Sequence, residues 1–230
     1  MKTLEITPIE GKRIRVIIVE KEYSQPFLLK EAKNEEAEKL SAIFKPSIAF
    51  CSFLENLIDE VNPDFATEEL GNRSIKEFTE NNDIAKVFQK KNVPFFAVDM
   101  DENAKGYLLS SIDEKRELLN AILKRLEELA SEEGYEKEYL TAYAQCLQQE
   151  IEEMEREVKF SIRESWITMG ILDKAREIDK EYIVCIHIAS PEHVDGVKNL
   201  LESVDAEVET IKPEKKLIIS ESGQALARLE

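Results

Sequence analysis

Two histidines and a small set of charged side chains are the residues of this sequence that could do chemistry. His187 lies inside an apolar run, residues 182–189. His193 follows in a predicted loop, residues 190–193, which leads into a helix predicted over residues 194–203. Ligands of parallel α/β sheets bind at the carboxyl ends of strands, so the position of His193 is typical of a functional residue. The position of His187 is typical of a histidine that belongs to the core.

Three acidic residues follow other predicted strands. Glu69 comes after one apolar segment, and Asp99 and Asp101 come after the next. Carboxylates and a histidine together can hold a metal ion, so these residues are candidates to join His193 at one edge of the sheet. Acidic side chains also follow strands for solubility alone, and this alternative stays open.

Arg163 lies late in a long helical region, with Glu164, Trp166 and Met169 close by. A helix that returns to a sheet can bring such an arginine to the edge where ligands bind. The alternative is a structural salt bridge at the junction between helix and sheet.

Several common catalytic motifs are missing from the sequence. It contains no glycine-rich phosphate loop and no Gly-x-Ser-x-Gly nucleophile elbow. Its three cysteines, Cys51, Cys146 and Cys185, are far apart and form no Cys-x-x-Cys pair, which indicates reduced thiols in a cytoplasmic protein. We therefore predict no cofactor.

The composition predicts a folded and strongly acidic protein. Hydrophobic residues make up 43% of the chain, enough for a core, and the formal net charge is −17. This charge repels nucleic acid and anionic lipid and attracts basic proteins, although solubility alone is a second reading. No apolar run approaches the roughly 18 residues that span a bilayer, so no membrane segment is expected.

The apolar pattern predicts an α/β fold with a mixed, largely parallel sheet flanked by helices. The segments that read as strands are residues 2–6, 13–19, 27–29, 65–70, 93–99, 182–189, 206–211 and 216–219. Residues 2–6 and 13–19 would form a β-hairpin around Gly11. Helices are expected between the later strands and over residues 34–44.

Residues 112–180 have a different pattern, because apolar side chains recur every three or four positions in two segments. This pattern predicts a long helical hairpin inserted before the last strands, which divides the chain into residues 1–111, 112–180 and 181–230. The apolar stripe of the second helix, Tyr139 to Val158, looks longer than the first helix can cover, so we expect a homodimer. The alternative is a helix that breaks near residues 157–161 and folds back onto its own sheet.

Three short stretches resemble, in order, motifs of the TraB/PrgY/Tiki family. Residues 62–73 resemble the family's Pro-Asp, short strand, Glu-Leu and Arg pattern, and residues 93–99 resemble the strand that follows. The third stretch begins at residues 163–169, which resemble the family's Glu-Arg and Met motif, and ends after a strand at residues 193–197, which resemble its His-Val-x-Gly ending. The match spans roughly residues 12–210.

The resemblance implies an α/β scaffold and a set of candidate site residues. These candidates are Glu69, Arg73, Asp99, Arg163 and His193. The family's first Gly-x-x-His motif supplies a histidine thought to bind a catalytic metal, but here residues 20–23 read Glu-Lys-Glu-Tyr. The second such motif keeps only His193. A site without one of two histidines is expected to lose its metal, so the resemblance implies the fold more than the activity.

We therefore expect a degenerate, soluble member of this family that is not an enzyme. It would be a regulatory protein whose acidic surface binds a basic partner, such as a component of transcription or of the ribosome. The alternative is a metal-dependent hydrolase of the TraB/Tiki type that uses Glu69, Asp99 and His193. Stoichiometric metal would indicate the hydrolase, and co-purifying basic proteins would indicate the binding protein.

Overall fold

A computed structural model describes residues 6–21, 48–69, 82–131 and 133–213. The strands within these ranges are β1 Arg13–Glu20, β2 Phe65–Glu68, β3 Phe95–Ala97, β4 Tyr182–Ala189 and β5 Glu207–Ile211. The helices are α1 Ile48–Val61, α2 Asp83–Lys90, α3 Glu102–Glu128, α4 Tyr135–Glu157, α5 Arg163–Arg176 and α6 Pro191–Glu202. A π-helical segment, Val158–Ile162, joins α4 to α5.

The described strands form one sheet in the order β3-β2-β4-β1-β5, and every pair is parallel. The predicted fold class is confirmed. The central strands are apolar on both faces, as in parallel sheets covered by helices on either side. Alternate residues of β1 show this, because Val16 and Ile18 pack with α5 and α6 while Ile17 and Val19 pack with α1 and α2.

The predicted β-hairpin around Gly11 is wrong. β1 pairs with β4 on one edge and with β5 on the other, so neither edge is left for an earlier strand. The described residues 6–12 contain no strand, and residues 2–5 lie outside the described ranges. Gly11, with a φ of +70°, forms the left-handed turn that leads the chain into β1. A strand as apolar as β1 buries more of its side chains between two parallel neighbours than it would at the edge of a hairpin.

The helical hairpin is confirmed, but its first helix is longer than expected. α3 has 27 residues and begins at Glu102, because Asp101 caps it by accepting a hydrogen bond from the backbone of Ala104 at 2.8 Å. α3 therefore covers much of the stripe on α4, and Leu147 and Ile151 are buried against it. The premise of the predicted homodimer, a first helix too short for the second, is wrong, and the dimer itself stays a prediction.

The helix does not break at residues 157–161. It continues through the π-helical segment into α5, which packs on the sheet through Ile167, Ile171 and Leu172. The return to the sheet that we considered as an alternative is therefore made by α5, while α4 stays in the hairpin.

Some predicted elements lie outside the described residues. These are the strands at residues 27–29 and 216–219 and the helix at residues 34–44. None of the helices within the described ranges combines the length and the apolar character that a bilayer crossing requires.

Candidate functional site

Buried polar side chains gather where the parallel strands end. Lys21 follows β1, Glu68 ends β2, Glu69 follows it, and Asp99 follows β3. Their relative exposures are 0, 0, 1 and 2%. In parallel sheets these ends share one edge, so residues far apart in sequence meet there.

Lys21 places an ammonium group among the carboxylates of β2. Its Nζ lies 3.1 Å from Glu68 Oε1 and 4.0 Å from Glu69 Oε1, and it donates to the Glu69 carbonyl at 3.4 Å. The other oxygen of Glu68 accepts from Asn82 Nδ2 at 2.7 Å. Asn82 also caps α2 through Oδ1, which accepts from the Ile84 backbone at 2.8 Å. The Glu68 carboxylate is therefore held between a cation and an amide.

Arg163 connects two other members of the site. Its guanidinium donates from Nε and Nη2 to both oxygens of Asp99, at 3.0 and 2.8 Å. Its Nη1 lies 3.0 Å from His193 Nε2. Arginine only donates hydrogen bonds, so Nε2 accepts and the imidazole hydrogen belongs on Nδ1. Nδ1 lies 3.3 Å from Glu164 Oε1, which can accept that hydrogen.

The surroundings of Arg163 keep it charged. Burial by itself lowers the pKa of Arg163. The hydrogen bonds and the charge of Asp99 raise it by more, and the charges of Glu69 and Glu192 raise it further. The net result is a raised pKa. The guanidinium is thus a permanent cation that faces His193 from inside the protein.

A glycine makes room for the carboxylate that contacts His193. Gly196 lies one turn after His193 on α6, on the side that faces α5. A Cβ atom at Gly196 would come within 2.1 Å of Glu164 Oε2. The spacing of His193 and Gly196 therefore lets Glu164 lie against α6 and contact the imidazole.

Glu69 joins the end of β2 to the start of α6. Its Oε1 accepts from the backbone of Ser190 at 2.6 Å. Ser190 occupies the N-cap position of α6, where backbone N–H groups favour an anion. Pro191 follows as the first helical residue, so α6 starts earlier than expected. His193 therefore lies in the first turn of α6 rather than in a loop, which corrects its predicted position.

His187 is a neutral, buried histidine. Its Nδ1 is 2.9 Å from the hydroxyl of Thr67, which lies opposite it on β2. Burial lowers the pKa of His187 to about 3, and the positive charge of Lys21 adds to that shift. Among the described residues its Nε2 has no hydrogen-bond partner, and the same is true of two buried oxygens, Glu69 Oε2 and Thr168 Oγ1. Such atoms are uncommon in folded proteins.

The π-helical segment shapes the outer side of the site. The ring of Phe160 lies 5.7 Å from the ring of His193, centre to centre. Lys159 pairs with Glu192 at 2.8 Å, and this hydrogen bond lowers the pKa of Glu192. A cavity of about 630 Å³ opens beside the segment. Its described lining residues are Glu153, Arg156, Glu157, Phe160 and Ser161. Single π-helical turns often occur at functional sites because they redirect side chains.

The donor set of the site does not fit a catalytic metal. A metal-binding histidine offers its lone pair to the ion, but the lone pair of His193 on Nε2 faces the Arg163 guanidinium at 3.0 Å. The ammonium of Lys21 already pairs with Glu68 and lies 4.0 Å from Glu69, so a cation occupies the space beside these carboxylates. Within the described ranges, no three histidine, cysteine or acidic side chains are arranged to hold a metal ion.

Most candidates from the sequence meet in this site. Arg163 contacts Asp99 and His193 directly, and Glu69 lies near enough to affect its pKa. Asp101 instead caps α3. Arg73 lies outside the described residues.

Sequence reasoning missed the pair formed by Lys21 and Glu68. A lysine directly after a strand as apolar as β1, and a second glutamate next to Glu69, were signals that could have found it.

The fold and the site define a class: an α/β protein with a parallel sheet and a fully buried cluster of charges at its carboxyl edge. No protein-family model, characterised protein or solved structure matches this chain. Its resemblance to the TraB/PrgY/Tiki family therefore stays a prediction.

Proposed function

We propose that this protein is a non-enzymatic regulatory or interaction protein, built on a TraB-like scaffold, whose acidic surface binds a basic protein partner. The contact between Arg163 and His193 carries the proposal. An imidazole that accepts from a permanent guanidinium can neither bind a metal nor act as a base without losing that contact. His193, the candidate catalytic histidine of the sequence, is therefore held in a structural contact with Arg163.

The second cation of the site supports the same proposal. Lys21 follows β1, in the segment where the TraB/Tiki family carries its first metal-binding histidine. Its ammonium lies between the carboxylates of Glu68 and Glu69. An internal lysine of this kind supplies one positive charge beside the two carboxylates, and it offers no open coordination position for a substrate. The site therefore carries a fixed cation in place of a Lewis acid.

The charge distribution supports a basic partner. The buried charged residues of the described ranges are three carboxylates and two cations, Lys21, Glu68, Glu69, Asp99 and Arg163. They nearly balance, so burial removes little of the net charge of −17. α4 alone carries seven acidic and two basic side chains. An excess of this size attracts basic proteins and accelerates their association.

Affinity capture from native lysate tests the proposal. The bait is the full chain at physiological salt, and an unrelated protein of the same net charge controls for simple ion exchange. We expect basic proteins that only the first bait retains and that elute when salt is raised, because screening weakens charge attraction. Recovery of the same proteins on both baits, or of no basic protein, would contradict the proposal.

A metal-dependent hydrolase of the TraB/Tiki type is the second candidate. The observation that favours it is the pair of buried atoms without partners, Glu69 Oε2 and His187 Nε2, at the edge where ligands bind. Metal analysis of the purified chain separates the candidates. One tightly bound transition metal per chain, lost in His193→Ala, would establish the hydrolase and remove the basis of the first proposal.

A further inference from the structure

An uncharged belt interrupts the charged surface of α4. We define this belt as residues 139–149, Tyr-Leu-Thr-Ala-Tyr-Ala-Gln-Cys-Leu-Gln-Gln, which contain no charged side chain. The exposed members are Tyr139, Thr141, Ala142, Tyr143, Gln145, Cys146, Gln148 and Gln149. At the chain's charged fraction of 34%, eleven positions would carry about four charges. Most of the belt is exposed, so burial in the core does not explain why it lacks charge.

Exposed tyrosines lie along the first part of the belt and just before it. Tyr135, Tyr139 and Tyr143 recur every four residues, and their rings stack at 6.3 and 6.2 Å. Their relative exposures are 81, 55 and 40%. Exposed aromatic groups combined with a lack of charge are the composition that distinguishes the centres of protein interfaces. The inward side of α4 is occupied by its contact with α3, through Leu147 and Ile151.

We propose that the uncharged belt is a self-association surface, where α4 of one chain crosses α4 of a second copy. This inference is independent of the proposed function. It also moves the predicted dimer contact, because Leu147 and Ile151 belong to the hairpin interior and only the exposed residues of the belt are left outside.

The charges on either side of the belt favour a second copy over a basic partner at this place. Glu136 and Glu138 precede the belt, and Glu150, Glu152 and Glu153 follow it. A basic protein gains most from contact with those carboxylates and little from a surface without any. A second copy presents another uncharged belt, so no charge is buried when the two meet.

Crossed helices keep the acidic flanks of two copies apart. The belt is about 16 Å long at 1.5 Å per residue. If two helices cross at its centre at about 50°, with axes about 9 Å apart, the axes are about 11 Å apart where the flanks begin, and they diverge further. The flanks therefore diverge from each other, and salt screens the repulsion that remains, since the Debye length is about 8 Å at physiological ionic strength. Two chains of the same strong charge can therefore associate at this place.

The oligomeric state tests the inference. Sedimentation velocity would measure the mass of the chain at concentrations from ~5 to ~200 μM. This wide range is needed because a contact of about three helical turns is smaller than a standard interface and implies modest affinity. A reductant excludes disulfides through Cys146. We expect the mass to rise from 26.5 kDa towards twice that value with concentration.

Matched variants locate the contact. Ala142→Glu and Gln149→Glu add a carboxylate to the exposed belt, and each should weaken self-association at least tenfold. Asn120→Glu adds the same charge at an exposed position of α3 and should leave association unchanged. Circular dichroism checks that every variant stays folded. A wild-type chain that is monomeric at all concentrations, or a dimer that persists in both belt variants, overturns the inference. In the first case a different protein becomes the candidate occupant of the belt.

Discussion

Replacing Lys21 with methionine keeps the length and the apolar stem of this side chain but removes a charge from a fully buried position. In the native chain Nζ lies 3.1 Å from Glu68 Oε1. At an effective dielectric constant of about 20, that separation corresponds to an attraction of about 5 kcal/mol, part of which desolvation offsets. The substitution removes this attraction from a buried carboxylate, so we expect the free energy of unfolding to fall by about 3–5 kcal/mol.

A second substitution separates the charge effect from the packing effect. Glu68→Gln removes the charge of the carboxylate that faces Lys21, while the amide oxygen can still accept from Asn82. We expect the double variant to be about 2 kcal/mol more stable than Lys21→Met alone. Lys91→Met is the control, because Lys91 pairs with Asp59 at 2.6 Å on the surface and should contribute less than about 1 kcal/mol.

Urea unfolding followed by far-ultraviolet circular dichroism gives the free energies of all four variants and the wild type. A loss below about 1 kcal/mol in Lys21→Met would refute the reasoning, because the ammonium would then contribute no more than a surface charge. Strictly additive effects in the double variant would also refute it, since additivity means that the two side chains do not interact.

Three further predictions concern the rest of the site and the thiols. Gly196→Ala should destabilise the chain, because the new Cβ meets the Glu164 carboxylate. In a Glu164→Ala background the same substitution should stabilise the chain by up to about 1 kcal/mol, because alanine favours a helix more than glycine does. Thermal unfolding measures both effects, and the same sign in both backgrounds would contradict this. The pKa of His187 is about 3 in the folded state and 6.5 in the unfolded state, so between these values only the unfolded state gains a proton as the pH falls. The stability advantage of wild type over His187→Asn should therefore shrink by about 2–3 kcal/mol from pH 7.5 to 4.5. A constant difference would refute the assignment. Cys146 is exposed, whereas Cys185 is buried with a raised pKa, so a thiol reagent should modify the first in the native chain and the second only after unfolding, as mass spectrometry would resolve.

Much of the architecture follows from local patterns that the sequence states directly. The strand at Tyr182–Ala189 was predicted with its observed bounds, because eight largely apolar residues between turn residues have few other solutions. The helical hairpin follows from apolar spacing of three and four. Glu69, Asp99 and His193 could be placed at one edge because strands joined by helices run parallel and end on the same side.

Other features depended on the tertiary structure. The exclusion of the hairpin around Gly11 is one, because it depended on which strands pair with β1 across long stretches of sequence. The start of α3 is different, because the Asp101 cap contacts a residue only three positions further on and is a local signal.

The partners of the buried charges were also beyond the sequence. Lys21 and Glu68 are 47 positions apart, and Arg163 and His193 are 30 apart. A pattern of residue types shows that a charge follows a strand, but it does not show which opposite charge will face it. That choice depends on the order of strands in the sheet and on the turn at which a helix arrives. The sequence by itself therefore determined where the polar residues gather, and the tertiary structure decided that His193 meets an arginine, because only the packing of α5 against α6 brings their side chains within 3.0 Å.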